Sequence, residues 1–82
     1  MGKKIIFFDG HYYEEGQPLP DIGSWEHVGD PHATKREYQG FSADIDKLPI
    51  YDDMDAGSTA TCLDTGEYIV FHKKTMAWVP QD

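Results

Sequence analysis

Cysteine, arginine and long apolar runs are all scarce in this 82-residue sequence. A single cysteine, Cys62, rules out an internal disulfide framework and with it the stapled mini-protein class. Placed between Thr61 and Leu63 in a β-prone stretch, it reads as a buried thiol acting as a small hydrophobe. No apolar run exceeds four residues, as at Ile5–Phe8, far below the roughly 20 that a membrane-crossing helix needs. The opening Met1-Gly2-Lys3-Lys4 has the charge of a secretory leader without its apolar stretch. Ile6 stands where a myristoylation signal wants serine or threonine. The expectation is a chain that works in a cytoplasm, or in something assembled there.

Bases are few as well. Seven of them, with Arg36 the only arginine, face fifteen acids, for a formal charge of −8. That balance argues against direct nucleic-acid binding, which rewards lysine and arginine through counterion release, and against docking on an anionic membrane. A basic protein partner, or plain solubility, is what remains.

Aromatics, in contrast, are plentiful, at 13% of residues. They suit a chain short enough to form one domain, 1–82, with a thin core, because each ring can bury about 150–250 Å². Ile5–Phe8 and His11–Glu14 flank Asp9-Gly10, a strong two-residue hairpin signal, since a type I′ turn needs positive φ at both central positions. The implied register sets Phe8 opposite His11, Phe7 opposite Tyr12 and Ile6 opposite Tyr13. One face then carries Ile6, Phe8, His11 and Tyr13, the other Ile5, Phe7 and Tyr12. With both faces apolar, the hairpin is expected to be covered on both sides or to meet another chain on one.

Prolines and glycine make 15–21 a connector. A short strand fits 25–28. Across 30–40, Asp30, Pro31 and Gly40 have the positions of helix start and stop signals. Such a helix would bury only Ala33 and Tyr38, so a turn at 30–33 followed by a strand near 35–39 is the preferred reading. The stretch 41–56 reads as a long loop with one helical turn at Ser42–Lys47, tethered by Phe41, Ile45, Leu48, Ile50 and Tyr51. From 57 onward the pattern is a three-stranded antiparallel meander. With Thr65-Gly66 as its first loop, Leu63 pairs with Tyr68, Thr61 with Val70 and Thr59 with His72. Ala60, Cys62, Ile69 and Phe71 then share the other face, and Pro80 ends the ladder after Trp78-Val79. The expected class is mainly β, with a small α+β fold as the alternative: an N-terminal hairpin and a C-terminal meander joined by long loops.

No reaction centre emerges. His27 and His32 are five residues apart, outside helical metal-pair spacing, and no Cys-x₂-Cys accompanies them. Asp53-x-Asp55-x-Gly57 hints at a calcium loop, yet glycine falls one place early and Asp64 stands where a bidentate glutamate belongs. Cys62 and His72 fall on opposite faces of the meander, and Gly-x-Ser-x-Gly is absent. Asp64-Thr65-Gly66 matches the aspartic-protease triplet, but that chemistry shares a proton between two carboxylates, and a hairpin turn explains the residues. Neither enzymatic activity nor a metal or other cofactor is expected. The candidate partner-binding residues are Asp44, Asp46, Asp52, Asp53 and Asp55, as a surface for a basic protein, and Trp25 and Trp78. The two tryptophans are core anchors in one reading and, exposed together, a platform for sugar rings or another chain in the other.

One resemblance extends over about residues 36–80. Arg36-Glu37-Tyr38-Gln39-Gly40-Phe41-Ser42-Ala43-Asp44, Lys47-Leu48-Pro49, Gly57-Ser58-Thr59-Ala60, Asp64-Thr65-Gly66 and Trp78 follow one another in a set order. That string resembles small prophage proteins from phages of Gram-positive bacteria. Two departures are Phe41 where leucine is usual and Tyr68-Ile69-Val70 in place of a Val-Tyr order. The resemblance implies a virion or assembly component, located in a virion or host cytoplasm, whose partners are virion proteins or further copies of itself. It supplies no catalytic residues. The alternatives are an acidic decoy binding a basic host protein and a carbohydrate-binding module.

Overall fold

In a computed structural model, which describes residues 4–81, the chain is mainly β. The Met1–Lys3 start considered above as a leader lies outside the described residues. Strands β1 (Ile5–Phe8) and β2 (His11–Glu14) form a two-stranded sheet. Strands β3 (Glu26–Val28), β4 (Glu37–Gly40), β5 (Thr59–Cys62), β6 (Tyr68–His72) and β7 (Ala77–Pro80) lie in that order in a five-stranded sheet.

The hairpin has the register expected from Asp9-Gly10, with Phe8 opposite His11 and Ile6 opposite Tyr13. Both turn residues have positive φ, 49° at Asp9 and 82° at Gly10, as a type I′ turn requires. Of the two alternatives expected for the hairpin, cover on both sides is not found: one face is covered and the other is open. Ile6, Phe8, His11 and Tyr13 are half-buried, while Ile5, Phe7 and Tyr12 are exposed.

The 30–40 segment is a turn and a strand: the Ala33 amide donates to the Asp30 carbonyl, and β4 follows. Its antiparallel partner is β3, and its other neighbour is β5, to which it runs parallel, with Tyr38 opposite Ala60 and Gly40 opposite Cys62. The meander is therefore the C-terminal part of a larger mixed sheet. A parallel pair needs a long crossover, and 41–58 provides it, including a 3-10 segment at Ser42–Lys47.

One meander detail differs from the expectation. Observed pairs are Thr59 with Val70, Ala60 with Ile69 and Thr61 with Tyr68, two residues away from the register of a two-residue loop. The Gly66 amide donates to the Cys62 carbonyl at 2.7 Å, closing a wider turn with four residues between the paired Cys62 and Glu67. Because the slip is even, Ala60, Cys62, Ile69 and Phe71 still share one face, and all four are buried. As expected, β7 stops at Pro80, which lies opposite Ile69, and the Gln81 amide donates to the Tyr68 carbonyl just beyond it. Proline is tolerated there because β7 is an edge strand.

The inner face of the five-stranded sheet buries Tyr38, Ala60, Cys62, Ile69 and Phe71, and the crossover contributes Leu48 and Met54. Of the expected tethers, Leu48 is buried and Ile45 and Tyr51 half-buried, whereas Phe41 and Ile50 are exposed. Met54, absent from that set, is fully buried. Outward positions alternate with these as Glu37, Gln39, Thr59, Thr61 and Tyr68, the ordinary pattern of a sheet wetted on one side. Trp25 lies directly over Gly40: a Cβ there would stand 2.6 Å from Cε3 and 2.8 Å from Cδ2 of the indole. Gly40→Ala is expected to cost about 1–3 kcal/mol by overpacking. A lower urea midpoint with unchanged slope is the measurement that checks it.

Candidate functional site

The hairpin meets the large sheet through its tip. Asp9 opens the turn, and its side chain, only 3% exposed, is drawn into a buried polar cluster with Arg36 and Tyr38 of the β4 region and Tyr51 of the crossover. Strand alternation sets Arg36 and Tyr38 on one face, two residues apart. The Tyr51 hydroxyl donates to Asp9 Oδ2 at 2.6 Å, and the Tyr38 hydroxyl lies 3.1 and 3.2 Å from the two carboxylate oxygens. Arg36 Nη1 donates to the Asp9 carbonyl at 2.6 Å and to the Tyr38 hydroxyl at 3.0 Å, and is 3.5 Å from Oδ2. The Arg36 guanidinium carbon sits 4.9 Å from the centre of the Tyr51 ring, a cation–π contact. Burial raises both phenol pKa values, and for Tyr51 the bond to Asp9 adds to it. Both hydroxyls therefore keep their protons and remain donors to the carboxylate.

His11, the first residue after the turn, extends the cluster outward. Its ring lies 4.3 Å from that of Tyr51, and Nε2 is 3.0 Å from Asp53 Oδ1. Gly10 is confined too, since a Cβ there would clash with the Arg36 guanidinium. Together these bonds fix the orientation of the hairpin on the sheet.

Four of the five candidate aspartates are bonded to separate parts of the fold, three of them through the carboxylate. Asp44 accepts the Ser24 amide at 2.9 Å, and its carbonyl accepts the Trp25 indole N–H at 2.6 Å. The Ser24 bond holds the Asp44 carboxyl below its ordinary range. Asp53 faces His11, and Asp55 accepts the Thr34 hydroxyl at 2.7 Å. The Asp52 carbonyl accepts the Lys73 ammonium, and Asp46 is exposed. Three of the five carboxylates cap or pair with neighbours inside the chain, while Asp46, Asp52, Asp53 and Asp55 remain exposed. Of the two readings of the tryptophans, the core-anchor one fits. Trp25 is 3% exposed in the core, and half-buried Trp78 packs 5.3 Å from the Phe71 ring and donates its indole N–H to the Pro49 carbonyl.

The remaining chemical candidates are bonded or buried within the fold. Asp64 of the Asp-Thr-Gly triplet accepts the Ser42 amide and hydroxyl at 3.0 and 2.6 Å, bonds that lower its pKa. Burial pushes the Cys62 thiol up, away from the reactive thiolate. Among the described residues, no three His, Cys, Asp or Glu side chains come together as a metal-binding group.

Asp9, His11, Arg36, Tyr38 and Tyr51 were not singled out from the sequence as a site. A usable signal was the only arginine falling two residues before a tyrosine in a strand: on an inward sheet face, an arginine calls for an acidic partner. Compared with protein-family profiles, curated proteins and solved structures, the chain has no match.

Proposed function

We propose that this chain is a non-catalytic docking module, a small structural or assembly protein of a phage or prophage that attaches to other virion proteins through its hairpin. The observation that carries the docking reading is the outer hairpin face, where Ile5, Phe7 and Tyr12 are 63%, 42% and 65% exposed on a unit whose tip is locked by a buried ion pair. Exposed aromatic and aliphatic side chains held on a fixed frame lose little entropy on binding, which is what interface anchors need. Among the described residues each hairpin strand pairs only with the other, so its outer backbone edge is available to a partner strand. The phage setting is supported by the ordered string of blocks between Arg36 and Trp78.

The test is attachment to particles. The chain is expected to sediment with virions, and the double variant Ile5→Ser/Tyr12→Ser to attach at least about tenfold more weakly, as loss of two interface anchors implies. Its melting temperature should be nearly unchanged, because both positions are exposed. Wild-type protein that never copurifies with particles, or a double variant that attaches equally well, contradicts the reading.

A further inference from the structure

We propose that the outer edge of β1 receives a third strand, an extended apolar segment of a partner protein that pairs with the backbone of Ile5 and Phe7. This rests on the docking reading above and specifies the edge, the register and the kind of partner.

Hydrogen bonding within the hairpin decides which backbone groups are free. Lys4 and Glu15 bond across it, the Glu15 amide donating to the Lys4 carbonyl at 2.8 Å. Bonded pairs alternate along an antiparallel ladder, so Ile6–Tyr13 and Phe8–His11 are bonded pairs as well. Ile5 and Phe7 of β1, and Tyr12 and Glu14 of β2, therefore turn their N–H and C=O groups outward. The two edges are not equal. At Glu14 the chain closes its own edge: the Glu14 amide donates to the Gln17 side-chain oxygen, and the Glu14 carbonyl accepts the Gln17 amide. The outward groups of Ile5 and Phe7 meet no partner among the described residues.

Sheet edges usually carry protection against pairing, such as proline, charge or short length. The edge strand β7 contains Pro80, and the edge strand β3 has three residues, the first of them Glu26. By contrast β1 is Ile5-Ile6-Phe7-Phe8, with neither proline nor charge. Its two free donors and two free acceptors have the spacing of a strand, which an extended backbone matches.

Side chains set the partner's composition. Residues of an added strand that lie opposite Ile5 and Phe7 join the exposed face of Ile5, Phe7 and Tyr12. The intervening residue falls on the side of the half-buried Ile6 and Phe8. Both neighbourhoods are apolar, which favours β-branched and aromatic residues in the partner. A second copy of β1 offers the same backbone pattern, but it brings a further −8 of charge to the contact. The occupant is therefore a strand of a different protein.

The experiment is amide hydrogen exchange by NMR on the whole labelled chain, with the capped peptide acetyl-Lys-Val-Thr-Val-Thr-Val-Lys-amide as probe. Its control is acetyl-Lys-Val-Thr-Pro-Pro-Val-Lys-amide, equal in charge but interrupted on both strand edges. In the free chain the Ile5 and Phe7 amides should exchange faster than those of Ile6 and Phe8. Saturating probe should slow Ile5 and Phe7 by at least about tenfold and leave the β3 and β7 amides unchanged, while the proline peptide does neither. Ile5→Pro should bind the probe at least about tenfold more weakly, because it removes an outward donor and sets a ring at the edge. The lost N–H points away from β2, so the hairpin signals should stay in place. Ile5→Thr, which keeps that N–H, should bind within about threefold of wild type.

Unchanged exchange at Ile5 and Phe7, equal binding of the proline peptide, protection at β3 or β7 instead, or undiminished binding by Ile5→Pro each overturns the proposal. So does a free chain already protected at Ile5 and Phe7 that sediments as a dimer, which would give the edge to a second copy. Peptide pairing without particle attachment refutes the phage setting alone. Particle attachment that leaves the Ile5 and Phe7 amides unprotected refutes strand addition alone.

Discussion

Replacing Arg36 with methionine is expected to destabilise the chain by about 3–5 kcal/mol, the usual cost of stranding one partner of a buried ion pair. Both side chains are nearly inaccessible, 2% exposed for Arg36 and 3% for Asp9, so water cannot take over for the missing guanidinium. The carboxylate would keep its bonds from Tyr38 and Tyr51 but lose its counter-charge, and the Asp9 carbonyl would lose its donor at 2.6 Å. Against a total stability of about 5–15 kcal/mol for a typical domain, that is a large fraction. The melting temperature should fall by at least about 12 °C for a chain of this size. Asp9→Asn supplies the complementary test, because asparagine suits the first position of a type I′ turn and removes only the charge. In the double variant Asp9→Asn/Arg36→Met, part of the Arg36→Met loss should return, giving a clear coupling energy in the mutant cycle. Additive losses would show that the two residues act separately.

The second large effect is expected at Met54. Its truncation to alanine should cost about 2–5 kcal/mol, as for other large-to-small changes in a packed interior. Met54 is fully buried although it lies in the crossover, flanked by the exposed acids Asp53 and Asp55. Its amide donates to the Tyr51 carbonyl, and the next residue is tied to Thr34 through both backbone and side chain. The crossover thus serves as the second layer that a one-sheet core requires. If 41–56 were a loose surface loop, Met54→Ala would fall within about 0.5 kcal/mol of wild type in a urea titration.

How much of this was readable in the sequence depends on how local each cause is. Asp9-Gly10 specifies its hairpin and register unaided, because positive φ at two adjacent residues leaves few alternatives. In the β5–β6 turn the faces could be read and the register could not. Thr65-Gly66 imitates a two-residue loop, but Asp64 is drawn to Ser42 across the fold and the turn widens. Parallel pairing of β4 with β5 leaves no local trace, since it depends on how 41–58 folds back. Trp25 could have been platform or core. Gly40, on a different strand, decides it by making room for the indole. Among the candidate site residues, the aspartates were visible as an acid-rich stretch, but their partners Ser24, His11 and Thr34 are brought by tertiary structure. Asp9 was explained by its turn, which hid its second role as the acceptor at the centre of the buried cluster.

The central claim is that the hairpin rides on the large sheet as one rigid piece, so that Ile5, Phe7 and Tyr12 face outward in a fixed orientation. Backbone ¹⁵N relaxation tests it most directly. Amides of Phe7, Phe8, His11 and Tyr12 should have order parameters matching those of β5 and β6, about 0.85. Values below about 0.6 in the hairpin beside a rigid sheet would contradict the account.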